Sequence, residues 1–192
     1  MRPFLSDAER RLSSAQHIKT ALQRLARVVV PRLADFCFVF LRAGTAVRCA
    51  ALAHRTPDGQ RLMRDLTRVY RITLDDPVSM VAHVLRSGRP ALRGEVSCGL
   101  VDPFFDERVL TLHRRLGARS VLVVPIGPVS DVLGAISLSY AESGRRYSGQ
   151  DLTHARRLAN VAAALLRESR NLSPASPPPL VQRRLLRLRG RA

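Results

Sequence analysis

The residues able to do chemistry in this chain are few, and their spacing is unhelpful to a catalyst. Three cysteines are present, Cys37, Cys49 and Cys98. The number is odd and no pair has metal-ligand spacing. Cys37 and Cys49 fall inside apolar, strand-like runs, so they read as buried small hydrophobes, not as a disulfide framework or metal centre. Cys98 lies in a Ser-Cys-Gly stretch predicted to be a loop; a reactive thiolate there would need an activating environment. His83 and His113 fall on predicted helices, where each is a candidate polar contact to a ligand or an ordinary helix residue. Asp102-Pro103-Phe104-Phe105 opens another helix, with Asp102 as N-cap and Pro103 at the first helical position. Asp102, Phe104 and Phe105 are candidates to cap or line a site. No Ser-His-Asp order, paired carboxylates or phosphate-binding Gly loop stands out. No catalytic residue or metal ligand is assigned, and the chain is read as non-enzymatic.

The elements that would position these residues follow from periodicity. Residues 120–140, SVLVVPIGPVSDVLGAISLSY, are long enough to cross a bilayer, but Pro125, Gly127, Pro128, Ser130 and Asp131 are turn residues in the middle. In the second half Ile136, Leu138 and Tyr140 alternate with Ala135, Ser137 and Ser139. Period two predicts a β-hairpin with one large face for a core and one small face for a close helix or a ligand. Ser6 and Glu9 form a capping box, and Ala8, Leu12, Ala15, Ile18, Leu22, Leu25 and Val29 continue as an amphipathic helix towards Pro31. Strands are predicted over 35–41, with Phe36, Phe38 and Phe40 on one face, and over 45–54. Thr56-Pro57-Asp58-Gly59 reads as a turn before a short helix ending near Val69. A helix over 77–86, a short strand over 90–93, a loop over 94–101 and a helix over 102–116 follow. The last long helix opens at Ser148, with a stripe of Leu152, Ala155, Ala159, Ala162 and Leu166.

The chain has 192 residues, 46% of them hydrophobic, and a formal charge of +17. Lys19 is the sole lysine, so the basic excess is arginine. NLSPASPPP at 171–179 reads as a stiff linker. LVQRRLLRLRGRA at 180–192 carries five Arg; removing them from 32 basic against 15 acidic residues still leaves +12. As a short helix the tail would set Val181, Leu185 and Leu188 against Arg183, Arg184, Arg187 and Arg191, a surface for nucleic acid or acidic membrane; its composition also predicts disorder. Residues 1–11 are charged and lack the apolar core of a signal peptide, so the expected location is the cytoplasm. The predicted order gives an α+β fold, an antiparallel sheet with helices on its faces.

Residues 116–152, LGARSVLVVPIGPVSDVLGAISLSYAESGRRYSGQDL, resemble the second half of GAF domains of bacterial histidine kinases and regulatory phosphatases. The shared features are a Leu-Gly-x-Arg-Ser turn, a Val-Pro strand, a Leu-Gly-x-Ile strand and an aromatic before Asp-Leu. Residues 72–96 resemble the family's helix and Ser-Gly-Arg-Pro turn, and the likeness runs over residues 20 to 170. It implies a central antiparallel sheet, the first and last helices together on one face, and a small-molecule pocket under residues 70–116 on the other. It implies the division 1–31 as an N-terminal helix contributing to a homodimer face, 32–170 as the GAF domain, and 171–192 as linker and tail.

Within that family, bilin-binding members carry a Cys-His pair where this chain has Arg108 and Val109, and an Asp-x-Cys-Phe where it has Phe104 in place of the Cys. Covalent bilin is therefore not expected, and no cofactor is assigned. The Asn-Lys-x-x-x-Phe-x-x-x-Asp-Glu pattern of cyclic-nucleotide binders is missing. The free methionine sulfoxide reductases place their reactive Cys at a turn where this chain has Ser79. The candidate ligand set is Ser79, His83, Asp102, Phe104, Phe105 and His113. The function implied is a sensory or regulatory module of bacterial signal transduction. It would bind a small molecule, or a partner such as a histidine kinase, and relay through a terminal-helix dimer. The alternatives are a basic scaffold for nucleic acid or a partner protein and, below it, a reductase.

Overall fold

The computed structural model describes residues 18–96 and 105–172. The elements in chain order are α1 (Ile18–Val29), β1 (Phe36–Ala43), β2 (Ala46–His54), α2 (Pro57–Val69), α3 (Met80–Ser87), β3 (Ala91–Arg93), α4 (Glu107–Leu116), β4 (Ser120–Ile126), β5 (Gly134–Tyr140) and α5 (Gly149–Leu172). The five strands form one antiparallel sheet in the order β2-β1-β5-β4-β3. The α+β architecture and the hairpin read from 120–140 are both present. Among the described residues no helix is long and apolar enough to cross a membrane.

Alternation along the central strands divides the interior in two. Cys37 and Val39 of β1, Leu122, Val124 and Ile126 of β4, and Ile136, Leu138 and Tyr140 of β5 enter one core with α1 and α5. The opposite face of the same strands carries Phe36, Phe38, Phe40, Val123 and Ala135, which pack with α2, α3 and α4. The stripes predicted on the terminal helices are largely buried: Leu22, Leu25 and Val29 on α1, and Ala155, Ala159, Ala162 and Leu166 on α5. They pack within the chain's own core. Ser6, Ala8, Glu9, Leu12 and Ala15 lie outside the described residues, as do residues 173–192 of the linker and tail, whereas Asn171 and Leu172 end α5.

Two helix starts differ from expectation. Thr56-Pro57-Asp58-Gly59 is not a separate turn. Thr56 is the N-cap of α2, its side chain accepting from Gly59 N, and Pro57 takes the first position, where a missing N–H costs nothing. Asp106, not Asp102, caps α4; its Oδ1 accepts from Val109 N at 2.8 Å. Asp-Pro at 102–103 has the sequence form of a helix start, but Asp106-Glu107 supplies the cap plus an acid in the first turn, which the helix dipole favours.

The outer edge of β2 is closed by amides. Gln23 Nε2 of α1 donates to Leu52 O at 2.8 Å, and Gln60 Oε1 of α2 accepts from His54 N at 2.8 Å. Side-chain amides thus take the hydrogen bonds that another strand would otherwise use. Gly59 lets α2 approach this edge, because a Cβ there would run into the imidazole of His54. That ring is fixed by stacking on Phe36 at 5.6 Å and by accepting from Thr56 N at 3.0 Å. Gly59→Ala is expected to cost about 1–3 kcal/mol through overpacking, read as a lower urea midpoint with an unchanged m-value.

Candidate functional site

Register builds a trough on the sheet face away from α1 and α5. One row runs Phe36, Ser139, Val121, Arg93; the next runs Phe38, Ser137, Val123, Ala91; a third begins Phe40, Ala135, Pro125. The central strand β5 contributes the small members, so the floor is low in the middle and walled by Phe on one side and Val on the other. Phe38 and Phe40 stack at 5.5 Å, and Phe36 meets Phe38 edge-on at 6.1 Å. Helices α2, α3 and α4 cover the trough but do not fill it. A cavity of about 220 Å³ remains, bounded by this floor together with Leu66, Tyr70, Ser79, Phe105, His113 and Arg114. The small face predicted for Ser137 and Ser139 lines it.

Opposite the floor three rings interlock. Phe105 stacks on His113 at 5.3 Å, Tyr70 meets Phe105 edge-on at 5.0 Å, and Tyr70 lies 6.0 Å from His113. The Tyr70 hydroxyl donates to Asp76 Oδ2 at 2.5 Å. Oδ1 of the same carboxylate accepts from Val78 N and Ser79 N, both at 3.0 Å. Asp76 therefore ties the ring cluster to the start of α3, where the Ser79 side chain caps the helix by accepting from Ala82 N. Burial pushes the Tyr70 hydroxyl up, with help from Asp76, so it stays a neutral donor.

His113 Nε2 is buried in this wall and has no hydrogen-bond partner among the described residues. Burial lowers the affinity of His113 for a proton, so the ring is neutral at pH 7. The unfolded chain takes up that proton more readily. Stability from the neutral ring is therefore complete above about pH 6.5, the ordinary histidine value, and is lost as pH falls through the lower folded value. His54 is depressed in the same sense, chiefly by burial. Thermal melts from pH 8 to pH 5 are expected to fall on the acid side, with a shallower fall in His113→Phe.

Of the six residues singled out from sequence, Ser79, Phe105 and His113 line the cavity. His83 is exposed on α3 and is absent from its lining; its neighbours Val81, Ala82, Val84 and Leu85 are the buried ones. Asp102 and Phe104 lie outside the described residues, as does Cys98. Tyr70, Arg93, Ser137, Ser139 and the Phe36–Phe38–Phe40 row were not assigned to a site from sequence, although the alternation in 134–140 marked the two serines as the small face. Cys37 and Cys49 are not activated thiols: burial raises both, Cys49 to about 11 and Cys37 further. Among the described residues no group of three His, Cys, Asp or Glu is placed to hold a metal ion.

Comparison with known proteins agrees with this fold. A family model described as GAF domain matches residues 17–166. The fold is similar to the GAF domain of a phosphoenolpyruvate-protein phosphotransferase from Coxiella burnetii, with TM-score 0.70, 16% identity, and coverage of 88% of this chain and 94% of that one. It is similar to residues 122 to 287 of a methyl-accepting chemotaxis protein, with TM-score 0.64, 13% identity, and coverage of 87% and 99%. It is also similar to a free methionine-R-sulfoxide reductase from Neisseria meningitidis in complex with its substrate, with TM-score 0.65, 14% identity, and coverage of 89% and 90%. At these identities the likeness concerns the fold. No curated protein sequence matches the chain.

Proposed function

The chain belongs to the GAF domain family, and on that premise we propose that it is a non-enzymatic sensory module holding a small molecule over Ser137 and Ser139. The observation that carries this reading is the low floor of β5. A sheet face built only for packing would place large side chains in its central strand, as β5 does on its other face with Ile136, Leu138 and Tyr140. The raised affinity of Cys37 and Cys49 for their protons, and a serine capping α3, favour binding over thiol chemistry. Similar folds in a chemotaxis protein and a phosphotransferase support a regulatory role.

The relay would run through β5 itself, whose alternate residues face the cavity and the α1–α5 core. A ligand shifts the balance between two arrangements of the helices over the trough only if it binds them with different affinity. A homodimer built on the terminal helices would use exposed positions such as Arg156, Asn160 and Arg167, since the small-residue stripe is buried within the chain. Methyl NMR under xenon tests the cavity directly. The methyls of Ile72, Val81, Leu116 and Val123 are expected to shift while those of Ile136, Leu138 and Leu158 stay still. Uniform shifts, or none, would sink the reading.

A further inference from the structure

Resting on that reading of the cavity, we propose that its ligand is a single-ring aromatic acid bearing a ring hydroxyl. Size sets the first limit. An apolar cavity of about 150 Å³ admits benzene; one of about 220 Å³ has room for a ring and short substituents, not for a nucleotide or a bilin. The walls select a ring. Phe36, Phe38 and Phe40 lie on one side and the Tyr70–Phe105–His113 cluster on the other, and aromatic pairs favour offset or edge contacts at about 4.5–7 Å.

Two polar features then fix the substituents. His113 Nε2 is a buried nitrogen with no hydrogen-bond partner among the described residues. A ligand hydroxyl can donate to it or accept from it, whichever tautomer the ring adopts. At the other end Arg93 closes the Phe36–Ser139–Val121 row on edge strand β3, where its side chain is exposed. Arg93 has no ion pair with a described residue, whereas Arg114, also in the lining, is engaged by Glu107 at 3.5 Å. No Asp or Glu lies among the described lining residues. A guanidinium at the edge of this trough, with no competing acid among the described lining residues, suits a carboxylate, which it can grip with two parallel hydrogen bonds while water keeps part of the charge solvated.

Calorimetric titration of the full chain with four small compounds tests this. 4-Hydroxybenzoate is expected to bind tightest, benzoate and 4-methylphenol each about tenfold or more weaker, and the cation tyramine weakest. Arg93→Ala should weaken 4-hydroxybenzoate by about tenfold to a hundredfold and leave 4-methylphenol unchanged. His113→Phe, which keeps the stack, should erase the gap between 4-hydroxybenzoate and benzoate. Circular dichroism matching the parent shows that each variant is folded. Tyramine binding as well as 4-hydroxybenzoate, or an Arg93→Ala variant with unchanged affinities, would overturn the proposal. If xenon shifts the cavity methyls but none of the four compounds binds, the aromatic acid is wrong and the ligand cavity stands. If xenon shifts nothing either, both fall together.

Discussion

Asp35→Ala is expected to lower the free energy of unfolding by about 3–5 kcal/mol, enough to leave much of the chain unfolded at 37 °C. The side chain is 1% exposed and sits at the start of β1. Its Oδ2 accepts from Ala141 N at 2.7 Å, Ser143 N at 2.9 Å and Ser143 Oγ at 2.7 Å, and its Oδ1 accepts from Arg55 Nη1 at 3.1 Å. Burial alone would raise its affinity for a proton. The two backbone N–H groups, the Ser143 hydroxyl and Arg55 outweigh that and hold it below the ordinary carboxylate value of 3.8. Truncation strands buried donors on the β5–α5 connection, and those are the costly part of the loss. Arg55→Ala removes only an interaction whose cationic partner is 37% exposed, and should cost about 1 kcal/mol or less. Denaturant melts of the two variants separate these cases; equal losses would show that the ion pair, not the backbone hub, holds the corner. The sign with pH follows. A depressed carboxylate stabilises the fold fully above pH 3.8, and that contribution disappears as pH falls through its lower folded value. Acid should therefore act in two stages, the half-buried His54 and His113 first and Asp35 below them.

Asp35 also marks where sequence reading ends. Its partners lie 106 and 108 residues away, so no local pattern announces them. The strands it joins were legible because their signals are local: period-two alternation in 134–140, the Phe36–Phe38–Phe40 triplet, and turn residues between the hairpin arms. The helix phases were legible too. On α4, Val109, Leu110, Leu112 and Leu116 are buried, and His113 follows Val109 by four and Leu110 by three, which puts it on the inward face. On α3 the buried residues are Val81, Ala82, Val84 and Leu85, which leaves His83 at the outward position between them. Both histidines had the same standing as candidates, yet only one is in the wall, and the helical spacing distinguishes them. Arg93 could not be found that way. Its place in the site comes from β3 pairing with β4, a contact of a three-residue strand that composition does not specify.

The second large effect separates the two faces of one strand. Ser137→Leu should abolish xenon uptake and reduce the affinity of any cavity ligand by about a hundredfold or more, with a change in stability under about 1.5 kcal/mol. Ser137 is the middle of the Phe38–Ser137–Val123 row, so a branched side chain there rises from the centre of the floor into about 220 Å³ of open volume. The added methyl groups gain burial where space already exists, which is why the fold should tolerate them. Leu138→Ala, one residue on, should behave oppositely. Leu138 is fully buried against the α1–α5 core, and its truncation leaves a void costing about 2–5 kcal/mol while the cavity floor is unchanged. Below the lowered melting temperature, Leu138→Ala should still take up xenon. If Ser137→Leu instead unfolds as severely as Leu138→Ala, the space over β5 is closely packed and cannot serve a ligand. A stable Ser137→Leu that excludes xenon would leave occupancy of that trough as the quantity β5 is built to sense.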